Sequence, residues 1–141
     1  MARTIFFITL GLAVAVLIAC ASAPPAPIAP SAIEYTRTGG FIGLNDRLTI
    51  DAKGHTVLSR RNVKSEFDVS DADLKQLYAA FQTAGFASIP ENSMPIGVVA
   101  DALNYTISYQ GHTVKTADSA VPKSLESLLT MLNRIVETQG K

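Results

Sequence analysis

The sequence predicts an α+β fold: an antiparallel sheet of about five to six strands with two helices packed on one face, in the order β-β-β-(β)-α-β-β-α. Three observations predict it. Short stretches of two-residue alternation are joined by links too short for a crossover, which forces antiparallel pairing. Two longer stretches carry the three- and four-residue spacing of amphipathic helices. Each helical stripe needs an apolar surface to cover, and a sheet with one buried face supplies it.

The first strand is read from Ile33, Tyr35 and Arg37, which alternate with Glu34, Thr36 and Thr38. Gly39-Gly40-Phe41-Ile42-Gly43 connects it to a second strand from Leu44 to Asp51, with Leu48 and Ile50 on one face. Ala52-Lys53-Gly54 is a hairpin turn, and His55 to Arg61 a third strand. Asn62 to Val69 is the bracketed fourth, with Phe67 and Val69 sharing a face. Ser70 is a suitable N-cap, and Asp73 stands where a capping box places its acid. Leu74, Leu77, Tyr78 and Phe81 form the stripe of the helix that follows, and Gly85 ends it. Pro90 to Gly97 reads as a loop. Leu103, Tyr105, Ile107 and Tyr109 mark the next strand, which Gln110-Gly111 turns into His112 to Thr116. Asp118 or Ser119 is the expected cap of the last helix, with Pro122 in its first turn. Leu125, Leu128, Leu129, Leu132, Ile135 and Val136 make its stripe. The expected core is Leu74, Leu77, Phe81, Tyr105, Ile107, Leu125, Leu128, Leu129 and Leu132.

Ahead of this domain, assigned to residues 33–141, lie two further segments. Residues 1–19 read as a signal peptide: Arg3 supplies a positive start, and Ile5 to Ala19 is an uncharged apolar run. Leu17-Ile18-Ala19-Cys20 resembles the lipobox of bacterial lipoproteins. That resemblance implies cleavage before Cys20 and attachment of fatty acyl chains, including palmitate, to it. The partner would then be the lipid bilayer. Two alternatives stand beside it: ordinary cleavage after Ala21-Ser22-Ala23, or an uncleaved anchor. Residues 20–32 hold Cys20 and then Ala21 to Ala32, where Pro24, Pro25, Pro27 and Pro30 exclude helix and sheet. This stretch reads as a spacer reaching about 35 Å. The expected location is the bacterial cell envelope. By the resemblance to enteric lipoproteins, Ala21 after the cysteine implies the outer membrane where one exists, and otherwise the location is the outer face of the plasma membrane.

The 141 residues carry twelve basic and twelve acidic side chains, so the formal net charge is zero. A nucleic-acid binder needs a basic stripe, so that class is set aside. With one cysteine, the chain has no internal disulfide to stabilise it. His55 and His112 stand far apart in sequence, with no second cysteine and no zinc-protease motif, so neither metal nor cofactor is expected. No nucleophile elbow or phosphate loop appears, and an enzyme is not expected. Asp101 is a possible ion-pair partner for Arg47 or Arg37.

The unusual feature is the glycine-rich connection, since three glycines in five positions exceed what a hairpin needs. Read by residue type, the glycines permit a tight bend and Phe41 and Ile42 tuck under the sheet. Alternatively the turn presents Phe41 and Ile42 to a partner. Thr38-Gly39-Gly40-Phe41-Ile42-Gly43-Leu44, set between two strands, resembles the opening of emfourin-like proteins, small bacterial inhibitors of thermolysin-like metalloproteases. The likeness continues through the Leu74–Leu77 helix, Ala84-Gly85-Phe86, Ala100-Asp101 before Tyr105, and Asp118 before Pro122, and spans about residues 33–136. It implies an inhibitor that occludes a protease cleft through loops at one end of its sheet, with Gly39, Gly40, Phe41, Ile42 and Gly43 as the candidate contact loop. The members it resembles lack the lipobox and the proline spacer. The alternative is an envelope lipoprotein acting as a structural or interaction module with no protease target.

Overall fold

Ile33, Tyr35 and Arg37 face one way along the first strand, and that face is where the helices pack. The computed structural model describes residues 32–61, 63–97 and 99–139. The expected signal peptide, Cys20 and the proline-rich spacer up to residue 31 lie outside the described residues. Seven strands form one sheet: β1 (Ile33–Gly39), β2 (Leu44–Ile50), β3 (His55–Arg60), β4 (Val63–Asp68), β5 (Asn92–Ser93), β6 (Leu103–Tyr109) and β7 (His112–Ala117). Their order across the sheet is β4-β3-β2-β1-β6-β7-β5, with β1 in the middle. Every pairing is antiparallel except β5 with β7.

The register explains the core. Tyr35 stands opposite Leu48 on β2 and Ile107 on β6, and Ile33 opposite Ile50 and Tyr109. All six are buried. Helices α1 (Asp71–Thr83) and α2 (Glu126–Gln139) cover this face with Leu74, Leu77 and Phe81 from α1 and Leu128, Leu129, Leu132 and Val136 from α2. A fully buried side chain of this size contributes about 1.5–3 kcal/mol. Every member of the expected core list is buried, and the α+β architecture is the one the sequence predicts.

Several local features differ in detail. Asn92–Ser93, expected as loop, forms β5, which is held by a bond from Lys115 N to Glu91 O (2.8 Å) and by Thr116 Oγ1 donating to Ser93 O (3.1 Å). Ser70 Oγ accepts from Asp73 N at 3.1 Å, as a cap should. The Asp73 carboxylate, however, accepts from the Ser70 hydroxyl at 2.7 Å. Gly85 takes the left-handed conformation (φ 59°) expected just past the helix. The last helix begins with a 3-10 turn at Lys123–Leu125 that follows Pro122, with no side-chain cap. Asp118 is used elsewhere: its backbone N donates to Leu103 O (2.9 Å) and its carboxylate accepts from Leu103 N (3.3 Å).

Candidate functional site

Strand direction places four connections at one end of the sheet. The β1–β2 turn, the β3–β4 turn, the β5–β6 connection and the segment leaving β7 all lie there, because Gly39 pairs with Leu44 and Leu103, Arg60 with Val63, and Asn104 with Ala117. Among the described residues, the large apolar side chains that stand exposed are Phe41, Ile42, Val63, Met94, Ile96 and Val99. All six belong to this end, with Val63 set apart on the outer edge strand. Scattered exposed apolar residues are ordinary, but six at one end of a sheet make that end the candidate contact surface.

Phe41 is 91% exposed and Ile42 64%. This corrects the reading in which the two side chains tuck under the sheet. The turn is nevertheless built rigidly. Gly40 N donates to Ala102 O (3.1 Å), and Gly43 N donates to Gly40 O (3.0 Å). Arg61 Nη2 donates to Ile42 O at 3.2 Å. Gly39 has φ +92°, and a Cβ there would stand 2.4 Å from the Ala102 carbonyl oxygen. The backbone of β1 therefore approaches the start of β6 more closely than any side chain permits, and the two apolar side chains are directed outward from that crossing.

Beneath the turn lies a buried ion pair. Arg37 and Asp46 are cross-strand neighbours, 6% and 4% exposed, with Nε to Oδ2 at 2.9 Å. Arg37 Nη1 also donates to Asn133 Oδ1 (3.1 Å) and Glu137 Oε1 (3.0 Å) on α2. Arg60 Nε stands 3.6 Å from Asp46 Oδ1. Burial works against the Arg37 charge, but the hydrogen bonds it donates to Asp46 and Glu137 outweigh that and hold its pKa above the ordinary arginine value. Tyr35 donates to the same Asn133 oxygen at 2.8 Å. Its phenol is pushed well above the ordinary range by burial, then by Tyr105, with Arg37 opposing. This network ties the loop-bearing ends of β1 and β2 to α2. Between it and the turn opens a shallow groove of about 570 Å³, lined by Arg37, Ile42, Leu44, Arg60, Leu103 and Glu137.

The ion pairing corrects an expectation. Arg37 pairs with Asp46 and Glu137, and Arg47 with Glu34 (3.2 Å), so Asp101 serves neither. The histidines do not meet. His55 lies on β3 beside Asp68, on the open face of the sheet, and His112 on β7, with Nε2 2.9 Å from Ile89 O. Three strands intervene, a separation of about 19 Å at ~4.8 Å per step. Among the described residues no group of three His, Cys, Asp or Glu side chains could hold a metal ion. A smaller cavity of about 210 Å³ at the opposite end is walled by Phe81, Phe86, Tyr109 and His112.

Sequence reasoning singles out Phe41 and Ile42 as candidates but not Met94, Ile96 and Val99, which the structure also exposes at this end. The signal was present: aliphatic residues in a stretch punctuated by Pro90, Pro95 and Gly97 have no strand or helix to bury them. The site as a whole is an apolar, backbone-braced rim at one end of the sheet. The chain matches no model of a known protein family, and comparison with curated proteins gives no match.

Proposed function

We propose that this chain is an exported, lipid-anchored binding domain that inhibits a thermolysin-like zinc metalloprotease by occluding its cleft with the Gly39–Gly43 turn. The observation that carries the reading is Phe41 and Ile42 standing exposed on a turn pinned at both ends by backbone hydrogen bonds. A braced loop loses little conformational freedom on binding, so the apolar burial is retained as affinity. The sequence resemblance to emfourin-like inhibitors names the class of partner, whose clefts favour large apolar side chains. Met94, Ile96 and Val99 would widen the contact beside the turn. Acylated Cys20 would hold the domain at the envelope surface, on the outer membrane where the organism has one and otherwise on the outer face of the plasma membrane. The proline-rich stretch would give it reach.

Titration of the domain from Ser31 to Lys141 into a thermolysin-like protease with a short peptide substrate tests this reading. Stoichiometric loss of peptidase activity is expected. A folded domain that leaves activity unchanged at micromolar concentration would remove the protease from the account and leave an envelope interaction module.

A further inference from the structure

We propose that β4 is a homodimerisation edge, at which two copies of this chain join their sheets antiparallel about a two-fold axis through Ser65. This goes beyond the inhibitor reading and does not depend on it.

β4 is the outermost strand at one side of the sheet, and Val63, Lys64, Glu66 and Asp68 are exposed along it. Among the described residues no strand pairs with its outer side. Val69 N donates to Gly54 O (3.0 Å), so the alternation of an antiparallel ladder turns Val63, Ser65 and Phe67 toward β3. The N–H and C=O groups of Lys64, Glu66 and Asp68 then point outward. Such an edge invites another strand, and charges along it ordinarily deter one. Here Lys64 and Glu66 are opposite in sign, with Asp68 a second acid beyond them, which makes the edge selective rather than prohibitive. Lys64 Nζ and Glu66 Oε1 are 2.8 Å apart along the strand.

A two-fold axis perpendicular to the sheet must place residues of the same face opposite each other. Centred on Ser65, it sets Lys64 of one copy against Glu66 of the other, twice. These are the outward-pointing residues, so each pair exchanges both backbone hydrogen bonds. On the open face the four charges form a square in which every neighbour has opposite sign. On the helix face the same register sets Val63, 71% exposed, against the half-buried Phe67 of the second copy. Centred on Glu66 instead, the axis would also set Lys64 against Asp68 twice, but would oppose two carboxylates directly at its centre. Self-complementarity in charge and in apolar surface thus selects both the occupant and the register. A pair of six-residue strands is small beside the ~1,200–2,000 Å² of stable interfaces, so the dimer is reversible and calls for trapping.

Ser65 and its symmetry mate form a non-hydrogen-bonded pair, with Cα atoms about 4.5 Å apart, which a disulfide can span. The test uses the full chain in detergent, carrying Cys20→Ser so that an introduced thiol stands alone. Under mild oxidation, Ser65→Cys is expected to give a disulfide-linked dimer, while Thr36→Cys, on the open face of the middle strand, is not. Adding Lys64→Glu converts two attractive cross-strand pairs to repulsive ones and should slow cross-linking roughly tenfold. The double exchange Lys64→Glu with Glu66→Lys should restore it. Cross-linking of Ser65→Cys no faster than the Thr36→Cys control would overturn the proposal. Faster trapping through Glu66→Cys, or no rescue by the double exchange, would overturn the register.

Discussion

Replacing Gly39 by Ala should damage the protein more than the same change at Gly43, although both glycines sit at positive φ in one turn. At Gly43 (φ +61°) an added Cβ meets nothing within 4 Å. The cost there is the left-handed backbone alone, about 1–2 kcal/mol. At Gly39 (φ +92°) the Cβ would also stand 2.4 Å from the Ala102 carbonyl oxygen. That oxygen belongs to backbone and has no rotamer to escape through. The turn must back away from β6, which disrupts the 3.1 Å bond from Gly40 N to the same oxygen. Loss of such a bond carries about 0.5–1.5 kcal/mol. Together with backbone strain, Gly39→Ala should cost about 2–4 kcal/mol. Urea denaturation of the domain reads this as a lower midpoint at unchanged slope. Because the displaced segment carries Phe41 and Ile42, Gly39→Ala should also weaken the proposed protease inhibition more than Gly43→Ala. Equal midpoints for the two variants would refute the close approach of β1 to β6 on which the loop's rigidity rests.

Other perturbations follow from the same structure. Asp46→Ala leaves the buried Arg37 with Asn133 and the exposed Glu137 as partners, and should cost about 2–4 kcal/mol by denaturation. Glu137→Gln removes a carboxylate whose side chain is 63% exposed and should cost under about 1 kcal/mol, so equal effects would contradict the burial of the Arg37–Asp46 pair. Leu129→Ala should cost about 2–5 kcal/mol, and an unchanged denaturation midpoint would contradict the packing of α2 on the sheet. Tyr35 has its pKa raised by burial, so the folded state holds this proton more tightly than the unfolded chain. Its contribution is complete below about pH 10, the unfolded value, and is lost as pH rises above it. Urea midpoints measured from about pH 8 to pH 11 should therefore fall less steeply for Tyr35→Phe than for the native chain.

Much of the fold was legible because strands with one buried face print their orientation in two-residue alternation. Ile33, Tyr35 and Arg37 alternate with Glu34, Thr36 and Thr38 as one stripe, and the structure buries that stripe, its charged member included. Asp101 reads as a possible partner of Arg47 or Arg37, yet the hairpin register that pairs Gly39 with Leu44 leads by counting from Arg37 to Asp46. Asn92–Ser93 was missed because two residues carry no period, and its pairing depends on β7, which lies far along the chain. Asp118 looked like a cap by composition, but the start of β6 competes for the same carboxylate. The exposure of Phe41 was the least legible feature. Whether an apolar side chain in a glycine-rich turn points in or out is decided by the approach of Ala102, 61 residues further on.

The proposed binding of the sheet's rim through Phe41 and Ile42 makes one comparison decisive. The inhibition constant of the domain against a thermolysin-like protease should be measured for the native sequence and for Phe41→Ala with Ile42→Ala. Burial of these side chains is worth about 1.5–3 kcal/mol each, so the double change should weaken inhibition by at least about a hundredfold. The fold should be untouched, because neither side chain belongs to the core. Inhibition of equal strength by both proteins would contradict the claim and move the contact away from the glycine-rich turn.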